Sequence, residues 1–241
     1  MTLTEAEQIM TAIYDVFEYI GTLHITGGGE PFLHPQLPEL IETVFRYADK
    51  FDHLMLFSNS AVKIKPDLLK AIQKHKEKII VQLSQYGINI EQEQSIAQKL
   101  QDSGVNCKIE KYYGDDQSFG GWIDFGSWDS YGRKPDELEY VFKTCSVTNV
   151  LKGNWRTRDG KVHWCSRSQR GMELGLIPND TQTYVDLFDD TSVDEKREKF
   201  ERIANAKYIS ACNYCSGDAG TNDTTKRYKA AEQEVWHETS L

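Results

Sequence analysis

The chain has 241 residues, 39% of them hydrophobic and 27% charged, with a net charge of −9. That length can bury one substantial core, or a main domain with a smaller appendage. The acidity argues against nucleic acid or an anionic membrane as partner, and no apolar run approaches the roughly 18 residues of a membrane span.

Met1-Thr2-Leu3-Thr4-Glu5 carries no basic region or apolar signal core, which predicts a cytoplasmic protein. A helix is expected over residues 4–20. Ile9, Met10, Ile13, Val16, Phe17 and Ile20 recur at helical spacing, and Thr4 with Glu7 suits a capping box. A strand over about 22–26 follows, then a helix whose buried side holds Leu40, Ile41, Val44, Phe45 and Tyr47. Strands over 53–60, 78–86 and 105–113 alternate with helices over about 66–77 and 90–102. Near-continuous apolar strands alternating with helices predict parallel pairing covered on both faces. The expected fold is α/β, a partial, open (β/α) barrel.

The alternation stops after Tyr113. Residues 114–136 are rich in Gly, Asp, Ser and Trp and read as ordered irregular chain. The expected division is a barrel domain over 1–136 and a small cysteine-bearing domain over 137–241. The last fifteen residues, from Arg227, suit a polar terminal helix.

The first strand runs into Thr26-Gly27-Gly28-Gly29-Glu30-Pro31-Phe32-Leu33-His34-Pro35. Strand, sharp turn and helix in that order put Glu30 and the glycine backbone at a strand's carboxyl end, where α/β folds bind ligands. Glycine allows positive φ and close approach to the main chain, and Pro31 fixes the exit. The other strands also end in polar groups: Ser58 and Asn59, then Ser84, then the Tyr112-Tyr113-Gly114 region. For any single strand, loop polarity is explanation enough. His24 and His34 flank the glycines without a partner at ligand spacing and read as structural.

Cys145, Cys165, Cys212 and Cys215 lie in the second half, the last two as Cys-Asn-Tyr-Cys. Such a turn puts two thiolates on one metal, and two distant cysteines complete four-sulfur coordination. An iron–sulfur cluster, a structural zinc and plain buried cysteines all stay open on this pattern. Asp159 to Cys165 reads as a hairpin arm. Cys107 reads as a buried apolar residue. Arg156, Arg158, Arg167 and Arg170 crowd the cysteines, and a solvated face accounts for them.

The Gly-Gly-Glu-Pro segment resembles the glycine-rich motif of radical S-adenosylmethionine (SAM) enzymes. That resemblance implies SAM as cofactor, its amino group held at Gly28, Gly29, Glu30 and Pro31. It assigns Ser58 and Asn59 to the place where the family often has Thr-Asn-Gly, with Ser60 departing from the glycine. Ser84 falls where a polar residue often meets the SAM ribose or carboxylate. Asp159-Gly160-Lys161-Val162-His163-Trp164-Cys165 resembles the hairpin of the SPASM or shorter twitch extension, which implies an auxiliary [4Fe–4S] cluster on Cys145, Cys165, Cys212 and Cys215. The family's defining Cys-x-x-x-Cys-x-x-Cys is absent, since no cysteine precedes Cys107.

The implied function is radical chemistry, hydrogen abstraction by a 5′-deoxyadenosyl radical, on an unidentified peptide, sugar or small molecule, with an electron donor as partner. This chain alone is expected to generate no radical, and no catalytic residue is assigned. The reading from another class is a non-catalytic binding or scaffold protein braced by zinc on the same four cysteines. A barrel enzyme for another nucleotide or sugar phosphate is disfavoured, because the strand ends bear no basic cluster and no Walker-type lysine.

Overall fold

A computed structural model describes residues 1–26, 28–149, 151, 154–217 and 227–228. The chain divides into two compact units. One takes Met1–Glu7 and Glu18–Trp122; the other takes Gln8–Phe17 and Ile123–Tyr228.

The first unit is built on four parallel strands in sequence order: β1 (Ile20–Ile25), β2 (Phe51–Ser58), β3 (Ile79–Gln85) and β4 (Asn106–Lys111). Each step crosses over through one helix, α2 (Leu37–Phe45), α3 (Pro66–Lys74) and α4 (Ile90–Asp102). The fold is therefore mixed α/β with an open parallel sheet, and the described residues form no closed barrel. Pro38 and Pro66 open α2 and α3, where the missing N–H is no loss, and the Asn89 side chain caps α4 by accepting from Gln92 N at 3.0 Å.

Register decides what each face of the sheet does. Leu54 pairs with Ile79, Leu56 with Val81 and Ser58 with Leu83, and all six are buried. Leu37, Ile41, Ile72, Ile96 and Leu100 from the three helices are buried as well. Each such aliphatic contributes about 1.5–3 kcal/mol on burial. The other face carries His24, Met55, Phe57, Gln82 and Lys108, all half-buried or exposed. Coverage on both faces was expected, but the side chains alternate instead. Only β3 is apolar throughout Ile79, Ile80 and Val81.

Glu93, in the first turn of α4, is buried, and its Oε1 accepts from Tyr86 N (3.2 Å) and Gly87 N (3.1 Å). Its Oε2 has no hydrogen-bond partner among the described residues. Burial raises its pKa above the ordinary 4.5, against those backbone bonds. The folded chain then holds this proton to higher pH than the unfolded chain, so stability falls as pH rises from the unfolded pKa through the folded one. Glu93→Gln keeps the acceptor and cannot ionise. Its melting temperature should match wild type below pH 4.5 and exceed it increasingly above.

The second unit carries α5 (Pro135–Thr144), α6 (Ser146–Asn149), α7 (Ser166–Glu173), α8 (Val193–Ala204) and a three-stranded antiparallel sheet. Residues 8–17 come from α1 (Leu3–Val16) and the residue after it. In the sheet Arg156–Arg158 pairs with Lys161–His163, which pairs with Tyr184–Asp186. Asp159 (φ 49°) and Gly160 (φ 76°) make the two-residue turn, both left-handed as a type I′ hairpin requires. The core gathers Phe142, Val162, Trp164, Val185, Phe200 and Ile203. Of the expected terminal helix only Arg227–Tyr228 is described, as a two-residue strand; residues 229–241 lie outside the described residues. Among the described residues no helix is long and apolar enough to cross a membrane.

Candidate functional site

The first candidate site is the carboxyl rim of the parallel sheet. Gly28 (φ 84°) and Gly29 (φ 156°) lie where side chains are strained, while a methyl group at Gly29 would meet nothing within 4 Å. Backbone shape, not crowding, is what asks for glycine at 29. Glu30 caps a short 3-10 helix, Pro31–Leu33, by accepting from Phe32 N at 2.9 Å through Oε1. Its Oε2 accepts from Asn59 N at 2.6 Å, and the Ser58 hydroxyl bonds the same carboxylate. Glu30 thus fastens the end of β1 to the end of β2. Burial raises its pKa against these three bonds. Three of roughly four lone-pair positions are taken, which leaves room for one more donor.

Asn59 turns its Oδ1 onto Ala61 N at 2.9 Å, and Ser58 Oγ accepts from Ser60 N at 3.1 Å. Ser60 is buried at φ 61°, and its hydroxyl has no partner among the described residues. A left-handed non-glycine residue costs about 1–2 kcal/mol, and an unsatisfied buried hydroxyl about 1–3 kcal/mol. Ser60→Gly removes both and adds about 0.5–1 kcal/mol of chain entropy. We expect it to stabilise by about 1 kcal/mol or more, measured by urea denaturation.

Ser84 stands opposite Glu110 in the β3–β4 register and bonds the Tyr86 phenol. Tyr112 donates to Glu110 Oε2 at 2.7 Å, stacks on Tyr86 with centroids 5.6 Å apart, and meets Trp122 at 6.4 Å. Burial, then Glu110, raises the Tyr112 phenol well above its ordinary value. Glu30 also lies close enough to act on Tyr86. The rim therefore brings Glu30, Ser84, Tyr86, Glu110 and Tyr112 together. The sequence offered no spacing signal for Tyr86, Glu110 or Trp122. His24 packs on Phe57 at 5.3 Å, and His34 holds Met1 O and Gln36 N, so both are structural.

The second candidate site lies within the other unit. Cys145, Cys165, Cys212 and Cys215 line one pocket, with Phe142, Val147, Trp164, Ile209 and Ala211 as apolar walls. Cys145 ends α5 and Cys165 caps α7, its Sγ accepting from Ser168 N at 3.4 Å. Cys212 sits in the 3-10 turn Ser210–Tyr214, and Cys215 Sγ accepts from Gly217 N at 3.3 Å. All five cysteines are thiols; Cys107 lies in β4 opposite Val81. Burial pushes Cys165 up to about 11 and Cys212 up to about 12. Cys165, Cys215 and Cys145 all act on the Cys212 thiol.

Among the described residues no group of three or more His, Cys, Asp or Glu is placed to hold a metal ion. Tetrahedral zinc at about 2.3 Å needs its sulfurs only about 3.8 Å apart. A cubane binds each thiolate at a separate corner iron and accepts a wider set. The donors suit a thiolate-held centre: four soft ligands, N–H groups aimed at two sulfurs and apolar walls. Arg156 adds a cation. Its charge acts on Cys165, and its Nε is buried with no hydrogen-bond partner among the described residues.

The solvated-face reading holds for Arg158 and Arg170, which are exposed and share Glu173 at 3.2 and 3.1 Å. It fails for Arg167, which lines the thiol pocket and stacks on Trp128 at 3.6 Å. Its guanidinium also donates to Tyr214 O, 47 residues on, a contact that sequence spacing does not reveal. No protein-family model matches the chain, and no curated protein matches it.

Proposed function

We propose that the chain is a radical-SAM-type protein whose parallel sheet is part of that family's open barrel. Its second unit holds a SPASM- or twitch-like [4Fe–4S] cluster on Cys145, Cys165, Cys212 and Cys215. The observation that carries this reading is the convergence of Cys145, Cys165 and the Cys212–Cys215 turn, three separate places in the chain, on one apolar pocket. When bound, such a cluster supplies electron transfer or an iron site for substrate. The chain's own part is to offer four thiolates, exclude water with Trp164 and Phe142, and donate Ser168 N–H and Gly217 N–H to sulfur.

At the rim, SAM is proposed to place its ammonium against the remaining lone pair of Glu30. A cation there would draw the raised Glu30 pKa back down and keep the carboxylate ionised. Gly28 and Gly29 let the main chain approach the ligand, and Ser58, Asn59 and Ser84 line the same rim. These 241 residues contain no Cys-x-x-x-Cys-x-x-Cys, so the chain alone is proposed to bind SAM without cleaving it. The substrate is a peptide, sugar or small molecule.

Anaerobic reconstitution with ferrous iron and sulfide tests this. Four irons per chain, a brown broad-band spectrum and saturable SAM binding without 5′-deoxyadenosine release are the expected results. Stoichiometric zinc with no iron uptake would replace this reading with a non-catalytic, zinc-braced binding protein.

A further inference from the structure

The Cys212–Cys215 turn has every one of its four carbonyls taken by a donor from elsewhere in the unit. Arg133 Nη1 donates to Cys212 O at 2.5 Å and to Cys215 O at 2.6 Å. Tyr131 N donates to Asn213 O at 2.8 Å. Arg167 donates to Tyr214 O through Nε at 3.1 Å and Nη2 at 2.8 Å. The Asn213 side chain closes the set, accepting from Arg133 N at 2.9 Å and donating to Ser130 Oγ at 2.9 Å.

Both guanidinium groups are themselves fixed. Arg133 lies over Tyr131 at 4.3 Å and Arg167 over Trp128 at 3.6 Å. Cation–π contacts of this kind hold a planar cation in one orientation. Arg167 also reaches Gly126 O at 3.0 Å and Ser127 O, so residues 126–133 form a strap over the turn. A turn needed only for chain reversal has no use for two half-buried cations. A turn that must present two thiolates to an anionic centre does, because the cations offset both carbonyl dipoles and thiolate charge.

We infer that Arg133 and Arg167 are positioning residues that fix the Cys-Asn-Tyr-Cys turn and supply two positive charges to the centre held by the four thiols. The inference rests on the four-thiol reading given above. It adds residues that neither bind iron nor touch substrate.

The test is anaerobic reconstitution of the whole chain with ferrous iron and sulfide, comparing wild type with Arg133→Met, Arg133→Lys and Arg167→Lys. The exposed Arg170→Met is the control. Loss of outer contacts to a metal ligand weakens retention by roughly 10–100-fold, read as the rate of iron loss to a chelator. Arg133→Met should lose iron that much faster, and its reduction potential should move negative, because a removed cation disfavours the added electron. Arg133→Lys keeps the charge but not the planar guanidinium stacked on Tyr131, so it should restore the potential but only part of the retention.

Near-UV circular dichroism before loading separates misfolding from this effect. If Arg133→Met does not fold, the two lysine variants carry the test through iron retention. Folded variants matching wild type in retention and potential overturn the inference alone. A wild type that takes up no iron overturns the four-thiol reading, and this inference with it.

Discussion

Cys212→Ala should remove the reconstituted chromophore, with iron per chain falling to background, while Cys107→Ala leaves both unchanged. The same loss is expected at Cys145, Cys165 and Cys215, which line the same pocket. Stability of the unloaded chain should change by less than about 1 kcal/mol in Cys212→Ala, because a buried thiol packs as a small apolar group. Fold and loading therefore separate in one variant. Loading is also pH-dependent in a fixed direction. Cys165 and Cys212 hold their protons up to about 11 and 12, so ligation must release protons. Affinity should rise with pH across the neutral range, and proton release should appear as dye bleaching in weak buffer.

The parallel half of the fold was legible because its signals are local. Apolar strands, proline-opened helices and the Asn89 cap sit within one element each, and the helix over 90–102 is found at Ile90–Asp102. Boundaries shifted where the signal was long-range. The helix expected over 4–20 stops at Val16, and Ile20 begins β1, because its Cα partner Phe51 fixes it in the sheet. Face coverage differs from the expectation for a related reason: Met55 and Phe57 look like core residues in sequence, yet register sets them on the face opposite the buried Leu54 and Leu56.

The second half hid more. Helix α8 carries a complete Ser192–Glu195 capping box, yet its lysines, arginines and glutamates mask the buried Phe200 and Ile203. Residues 114–136 read only as ordered irregular chain. Part of that stretch is the strap whose Arg133 meets a turn 79 residues later, and no periodicity encodes such a contact. At the rim the polar strand ends were visible as residue types. That Glu30 ties Asn59 N, Phe32 N and Ser58 together was not, because side-chain acceptors leave no spacing in the sequence.

Trp164→Ala should cost about 3–5 kcal/mol, as large aromatic truncations in cores do. Trp164 is buried, and it is the centre of a row of rings. It meets Trp155 edge-on at 4.9 Å and Phe142 at 5.9 Å, and Trp155 passes the contact on to Phe200 at 5.0 Å. Phe200 in turn meets Phe17 at 4.8 Å. Its indole N–H donates to Thr148 Oγ1 at 3.3 Å, so truncation also loses a partner for that hydroxyl. The same ring walls the thiol pocket and precedes Cys165 directly. Truncation would open the wall to water, which both lowers the unfolding midpoint in urea and speeds loss of reconstituted iron to a chelator. Trp164→Phe keeps most of the wall and drops the N–H. It should recover more than half of the stability and most of the iron retention. If Trp164→Ala lost stability but kept iron as long as wild type, the ring would serve the core alone, and the pocket would owe its dryness to Phe142, Val147 and Ile209.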